Sequence, residues 1–178
     1  MAVISGGKII EGAYGAPYTF AGAPSAGTNE VQTLTIGGTP TGGTFKLAFE
    51  GYTTAAITWS ATNATLLANI NAALDALPTV GAGGLLATAG TVVAGIGTII
   101  LTAGANLARK AIATTTVADN SMTGTAPTAA VAETTPGVDA TARGAGPGAL
   151  LVDTTNSKLY VNTNTALAPT WTVAGTQV

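Results

Sequence analysis

Six basic and eight acidic side chains, with no histidine and no cysteine, are the charged and metal-binding chemistry available to this 178-residue chain. Without cysteine and histidine there are no disulfides, thiolate metal sites or thiol nucleophiles, and the commonest general base is missing. The carboxylates are Glu11, Glu30, Glu50, Asp75, Asp119, Glu133, Asp139 and Asp153. Two of them could serve as a glycosidase acid and base, or several could hold a divalent cation, but no two fall within one short motif. Asp153 with Asn156, and Asp119-Asn120-Ser121, fit turn chemistry, because Asp and Asn readily bond their own backbone. Ser5-Gly6-Gly7-Lys8 has the Ser-x-x-Lys spacing in which lysine activates a serine. Such motifs open a helix inside a folded domain, whereas this one holds two glycines and lies in the terminal segment. The glycines of Gly81-Ala82-Gly83-Gly84 and Gly144-Ala145-Gly146-Pro147-Gly148 match neither dinucleotide nor phosphate-loop fingerprints. The expectation is therefore a non-enzyme with no catalytic, cofactor or metal residues.

The rest of the composition limits the partners. Only 8% of residues are charged, the net charge is −2, and Ala, Gly and Thr exceed half of the chain. The basic residues are scattered, with only Arg109 and Lys110 adjacent, so no patch is expected to neutralise nucleic-acid phosphates. The longest apolar stretch, Thr91 to Ala103, runs for about 13 residues and is broken by Gly95 and Gly97; a membrane span needs roughly 20. Residues 1–20 lack a basic start followed by a continuous apolar core, so no secretory signal is expected. A surface of Thr, Ala and Gly has little charge to oppose association, which favours a life packed against neighbours.

The expected fold is α+β and mostly β: an antiparallel sheet with one amphipathic helix, an extended N-terminal arm and a C-terminal β-hairpin module. Residues 1–28, rich in Gly, Ala and Pro, hold no periodicity and read as the arm, with Tyr14, Tyr18 and Phe20 as its contact residues. Residues 29–135 read as the main β-rich domain. Within it, Glu30–Ile36 is a strand, Gly37–Gly43 a turn, and Thr44–Glu50 a half-buried strand with Phe45, Leu47 and Phe49 on one face. Thr54–Trp59 completes a three-stranded antiparallel set.

Leu66, Leu67, Ile70, Leu74 and Leu77 recur at helical spacing, predicting a helix over about 62–77. Ser60 or Thr62 would cap it and Pro78 would stop it, with Thr65, Asn69, Asn71 and Asp75 on its exposed side. Leu85–Ala89, Thr91–Ala94, Thr98–Thr102 and Ala111–Val117 then read as strands, and one more near Ala129–Glu133. Residues 136–148 read as a linker.

Residues 149–178 form the C-terminal module. Leu150–Asp153 and Lys158–Asn162 flank the turn Thr154-Thr155-Asn156-Ser157, with Asn156 suited to a left-handed conformation. Leu150 and Val152 would meet Leu159 and Val161, and Pro169–Val173 would add a short third strand. Trp171 is the last candidate contact residue.

Two stretches resemble modules of tailed-bacteriophage virion proteins, particularly of phages that infect actinobacteria. The first runs from Glu30-Val31-Gln32-Thr33-Leu34-Thr35-Ile36 through Gly42-Gly43-Thr44-Phe45-Lys46-Leu47 and Thr53-Thr54-Ala55-Ala56-Ile57-Thr58-Trp59 to Ala72-Ala73-Leu74-Asp75-Ala76-Leu77-Pro78. The second is Gly148-Ala149-Leu150-Leu151-Val152-Asp153-Thr154-Thr155-Asn156-Ser157-Lys158-Leu159-Tyr160-Val161-Asn162, with Trp171 after it. The resemblance covers residues 30–78 and 148–171. It implies assembly on a virion, at the capsid surface, as a decoration (cement) protein. The implied partners are the major capsid protein and further copies of the chain, a trimer being favoured, with no nucleic acid and no membrane. A tail-tube or tail-appendage protein is the first alternative. The second is a carbohydrate-binding head-fibre module, with Trp59, Tyr160 and Trp171 as stacking platforms.

Overall fold

The structure, a computed structural model, describes residues 4–5, 8–9 and 17–176. Its elements in chain order begin with β1 (Ile4–Ser5), β2 (Lys8–Ile9), β3 (Tyr18–Phe20), β4 (Val31–Phe49), β5 (Tyr52–Thr53) and β6 (Ile57–Thr58). The helix α1 (Asn63–Asp75), β7 (Leu85–Ala89), β8 (Gly97–Ala103) and a 3-10 turn at Ala105–Leu107 follow. The chain continues through β9 (Thr116–Thr135), β10 (Leu150–Asp153), β11 (Lys158–Asn162) and β12 (Trp171–Val173). Mostly antiparallel strands and one helix agree with the expected α+β, mostly β, class.

Contacts divide the chain into two compact units. The larger is Asn29–Val138; the smaller combines Met1–Thr28 with Asp139–Val178. The expected arm is thus no separate element, because part of it is a strand of the smaller unit's sheet.

The larger unit is organised by β4, 19 residues long. From Val31 to Ala48 it pairs antiparallel with β9, and its other side pairs first with β8 and then with β6 and β5. The segment Gly37–Gly43, expected as a turn, lies inside this strand. Register shifts fall between Gly37 and Thr39 and between Pro40 and Gly42. Gly38 (φ +74°) and Gly43 (φ +85°) occupy left-handed backbone there, and a Cβ on Gly43 would clash with the Ser121 carbonyl oxygen. Glycine admits both the conformation and the approach.

These bulges settle which side chains go inside. Side chains of a strand alternate with period two. Before the bulges the buried positions are even, Gln32, Leu34 and Ile36; after them they are odd, Phe45, Leu47 and Phe49. Only a slip in register lets both halves present their apolar faces to one core. The Asn120 Nδ2 donates to the Pro127 carbonyl at 3.0 Å, a reach that an unbent strand could not span over seven residues. The β4–β9 ribbon therefore turns a corner, and the expected strand Ala129–Glu133 is one limb of a 20-residue strand.

Leu66, Ile70 and Leu74 of α1 pack into that core with Ile57, Leu85, Ile99 and Leu101, all at 0–1% exposure. Burying each such side chain is worth about 1.5–3 kcal/mol. The helix starts with Thr62 as N-cap, but no side-chain hydroxyl caps the first turn; Ser60 Oγ instead accepts from the Thr62 N–H at 3.1 Å. Apart from exposed Thr65, its polar residues are tied to flanking backbone. Asn63 bonds the Val92 carbonyl and the Gly95 N–H, Asn69 the Thr58 carbonyl, and Asp75 the Gly83 N–H. Asn71 both donates to and accepts from the backbone of Ala87.

Two other expected strands are absent. Thr91–Ala94 is a turn closed by the Val93–Ile96 bridge, and regular pairing of Ala111–Val117 begins only at Thr116. The latter loop is pinned by side chains. Glu30 (2% exposed) accepts from the Gln32 amide and the Ile112 N–H, while Gln32 (0%) accepts from the Thr115 N–H and donates to the Ala113 carbonyl. A loop whose backbone bonds are taken by buried side chains has no need of a ladder partner.

Candidate functional site

The expected contact residues converge in the smaller unit. Its four-stranded sheet has the order β12-β11-β10-β3. β3 enters parallel to β10, with Tyr18 opposite Leu151 and Phe20 opposite Asp153. The β10–β11 hairpin pairs Leu150 with Val161 and Val152 with Leu159, as its alternation predicted. The left-handed turn residue is Ser157 (φ 53°), in place of Asn156.

Cross-strand neighbours share a face, so Tyr18, Phe20, Leu151, Asp153, Tyr160, Asn162, Trp171 and Val173 lie on one side of this sheet. The Tyr18 and Trp171 rings meet edge to face, centroids 6.5 Å apart at 67°. The Trp171 indole N–H donates to the Thr141 carbonyl at 2.9 Å. Phe20 is 41% exposed and Val173 equally so. Tyr14 lies outside the described residues.

The same face is held together by polar side chains. Asp153 is fully buried, and its Oδ1 accepts from the backbone N–H groups of Gly22, Thr155 and Asn156, while Oδ2 accepts from the Asn156 amide. Burial is the largest single influence on this carboxyl and raises its pKa. The Asn156 side-chain bond and the backbone bonds from Asn156, Thr155 and Gly22 together outweigh it and hold the pKa below the ordinary 3.8. Asp153 thus fastens the N-terminal strand to the C-terminal hairpin. Asn162 does the same for the segment before β10: its amide donates to the carbonyls of Ala145 and Gly146, and its oxygen accepts from Asn164 and Thr170.

The stretch 136–148, expected as a linker, therefore packs in part against this sheet, with Ala140, Thr141 and Ala145 buried. Sequence reasoning treated these residues as spacers because Gly, Ala and Pro carry no periodic signal. The signal that could have been used was the pair Asp153 and Asn162, each ending a strand with a side chain able to bond several backbone groups.

No three His, Cys, Asp or Glu residues among the described residues form a group able to hold a metal ion. The indole N–H of Trp59 donates to the Gly95 carbonyl at 3.0 Å and its ring packs on the core of the larger unit. Trp59 is thereby partly buried against that core. The face therefore carries a half-buried aromatic pair, with Phe20 on β3 and Val173 on β12 exposed at the sheet's two outer strands.

No protein-family model matches the chain, and the comparison with curated proteins likewise gives no match. Among solved structures, a chain from Mycobacterium phage Patience is similar at 15% identity and a TM-score of 0.43. The similarity covers 84% of this chain and 56% of that one, so this chain spans little more than half the length of its structural neighbour.

Proposed function

We propose that this chain is a structural protein of a tailed-phage particle that binds the major capsid protein of the assembled shell as a decoration protein, without catalytic activity. What supports the reading is the exposure of the apolar side chains Phe20 and Val173 on this sheet, in a chain that has only 8% charged residues and whose residues 30–78 and 148–171 resemble virion modules. Binding the mature shell in preference to its free subunits stabilises the shell by mass action. On this reading the contact residues are Phe20 and Val173, with Tyr18 and Trp171 beside them on the same face of the sheet.

Deleting residues 1–28 would be a poor test, since it strips β3 from its sheet along with any contact surface. The double substitution Phe20→Ser, Val173→Ser changes exposed side chains and leaves the ladder in place. The unsubstituted chain is expected at stoichiometric copy number on heads separated from tails, by quantitative mass spectrometry. The double variant is expected to fold and to be depleted from them. Recovery with tails would favour the tail reading, and equal occupancy by the variant would remove the assigned contact residues.

A further inference from the structure

Among the edges of the larger unit's sheet, those at β7 and β9 are treated differently. A free edge exposes N–H and C=O groups that another strand can pair with, so proteins usually cover or interrupt it. At β7 the Asn71 side chain bonds both the N–H and the carbonyl of Ala87 and closes the edge. At β9 the described residues pair only with β4. The first limb of β9 carries Asp119, and its side chains Asn120 and Ser121 are engaged locally. The second limb contains Thr128-Ala129-Ala130-Val131-Ala132, five residues with no charge, glycine or proline, bounded by Pro127 and Glu133.

We propose that Thr128–Ala132 pairs antiparallel with the same segment of a second copy, about a two-fold axis at Ala130. The bounds of the segment select this occupant and this register. With Ala130 opposite Ala130, Thr128 meets Ala132, Ala129 meets Val131, and Pro127 lies opposite the partner copy's Glu133. The two glutamates then stand about 20 Å apart at roughly 3.3 Å per residue, beyond the Debye length of about 8 Å in physiological salt. Self-pairing centred on the first limb would instead set Asp119 against its own copy.

Ala129 and Val131 are half-buried side chains at the rim of the apolar core. In this register each covers the other across the axis, so two cores become continuous, as an isologous two-fold interface requires. The outward side is Thr128, Ala130 and Ala132, all exposed and small, so nothing projects to hold two sheets apart. The pairing is two-fold, unlike the trimer that the resemblance implies, and it does not depend on a role in a virion.

The test uses the full chain, which contains no cysteine. Sedimentation equilibrium is expected to give a dimer, and Ala130→Lys, which places two ammonium groups face to face, is expected to weaken it about tenfold or more with the circular dichroism unchanged. Ala130→Cys is expected to form a disulfide-linked dimer under mild oxidation, with Thr123→Cys as the uncrosslinked control; this arm decides the matter if the lysine variant does not fold. A monomer, a trimer indifferent to Ala130→Lys, or equal crosslinking at both cysteine positions would overturn the pairing.

Discussion

The larger and smaller units solve the same problem, a sheet built from small residues, by different means. In the larger one, nineteen buried apolar residues form one cluster around β4 and α1. Among the described residues of the smaller one the buried apolar residues are Ala140, Ala145, Leu151 and Pro169, and they are matched by buried Thr141, Asp153 and Asn162. The first is held mainly by removal of apolar surface from water, the second by side chains that satisfy backbone groups. Hydrogen bonds contribute only about 1 kcal/mol net each, but a buried group left without its partner costs about 1–3 kcal/mol. A unit built that way is stable only while its network is complete, and it can keep apolar side chains such as Phe20 at its surface. The contrast places the large apolar core in one unit and the network of buried polar side chains in the other.

The strongest challenge to this comparison is Phe45→Ala. The side chain has no exposed surface, and its loss is expected to cost about 3–5 kcal/mol in denaturant-induced unfolding of the larger unit. A loss under about 1 kcal/mol would mean that the cluster is not what holds that unit. Next is Asn162→Leu, which keeps side-chain volume but removes all four bonds of a buried amide. An expected loss of about 2–3 kcal/mol should fall on the smaller unit's transition and leave the larger unit's unmoved; an unchanged smaller unit would refute the polar network as its support.

Trp171→Phe retains a ring against Tyr18 and removes the indole bond to Thr141, so about 1 kcal/mol is expected, read from thermal melting. The smallest effect at neutral pH concerns Asp153. Because its folded pKa lies below the ordinary 3.8, its contribution is fully present above that value and is lost as pH falls through the folded pKa. Acid titration should therefore release the smaller unit below about pH 4 in the natural chain. Asp153→Asn should lose that dependence; an identical acid profile in the variant would show that other groups carry it.

Legibility followed the range of the interactions. The helix, the β10–β11 hairpin and β7 were readable because each is set by spacing within a few residues: leucines every three or four positions, or alternation on both sides of Thr154–Ser157. Gly37–Gly43 was misread because glycine and proline permit a hairpin turn and a bulged corner alike. β9 decides between them, and its pairing residues lie 79 to 91 positions away. Tyr18, Phe20 and Trp171 were singled out as contact residues, but nothing local could reveal that Tyr18 and Trp171 share a face.

By itself, then, the sequence determined the class of fold, the alternating apolar faces, the single helix and the shortage of reactive side chains, since all of these rest on residue type and short-range period. The tertiary structure alone decided that β4 turns a corner, that residues 18–20 and 140–145 join the C-terminal hairpin, that Asn71 bonds the backbone of Ala87 at the β7 edge, and that β9 pairs only with β4 among the described residues. Each of those outcomes depends on which distant backbone groups find a partner, and a backbone N–H or carbonyl is the same at every position until the fold brings something to it.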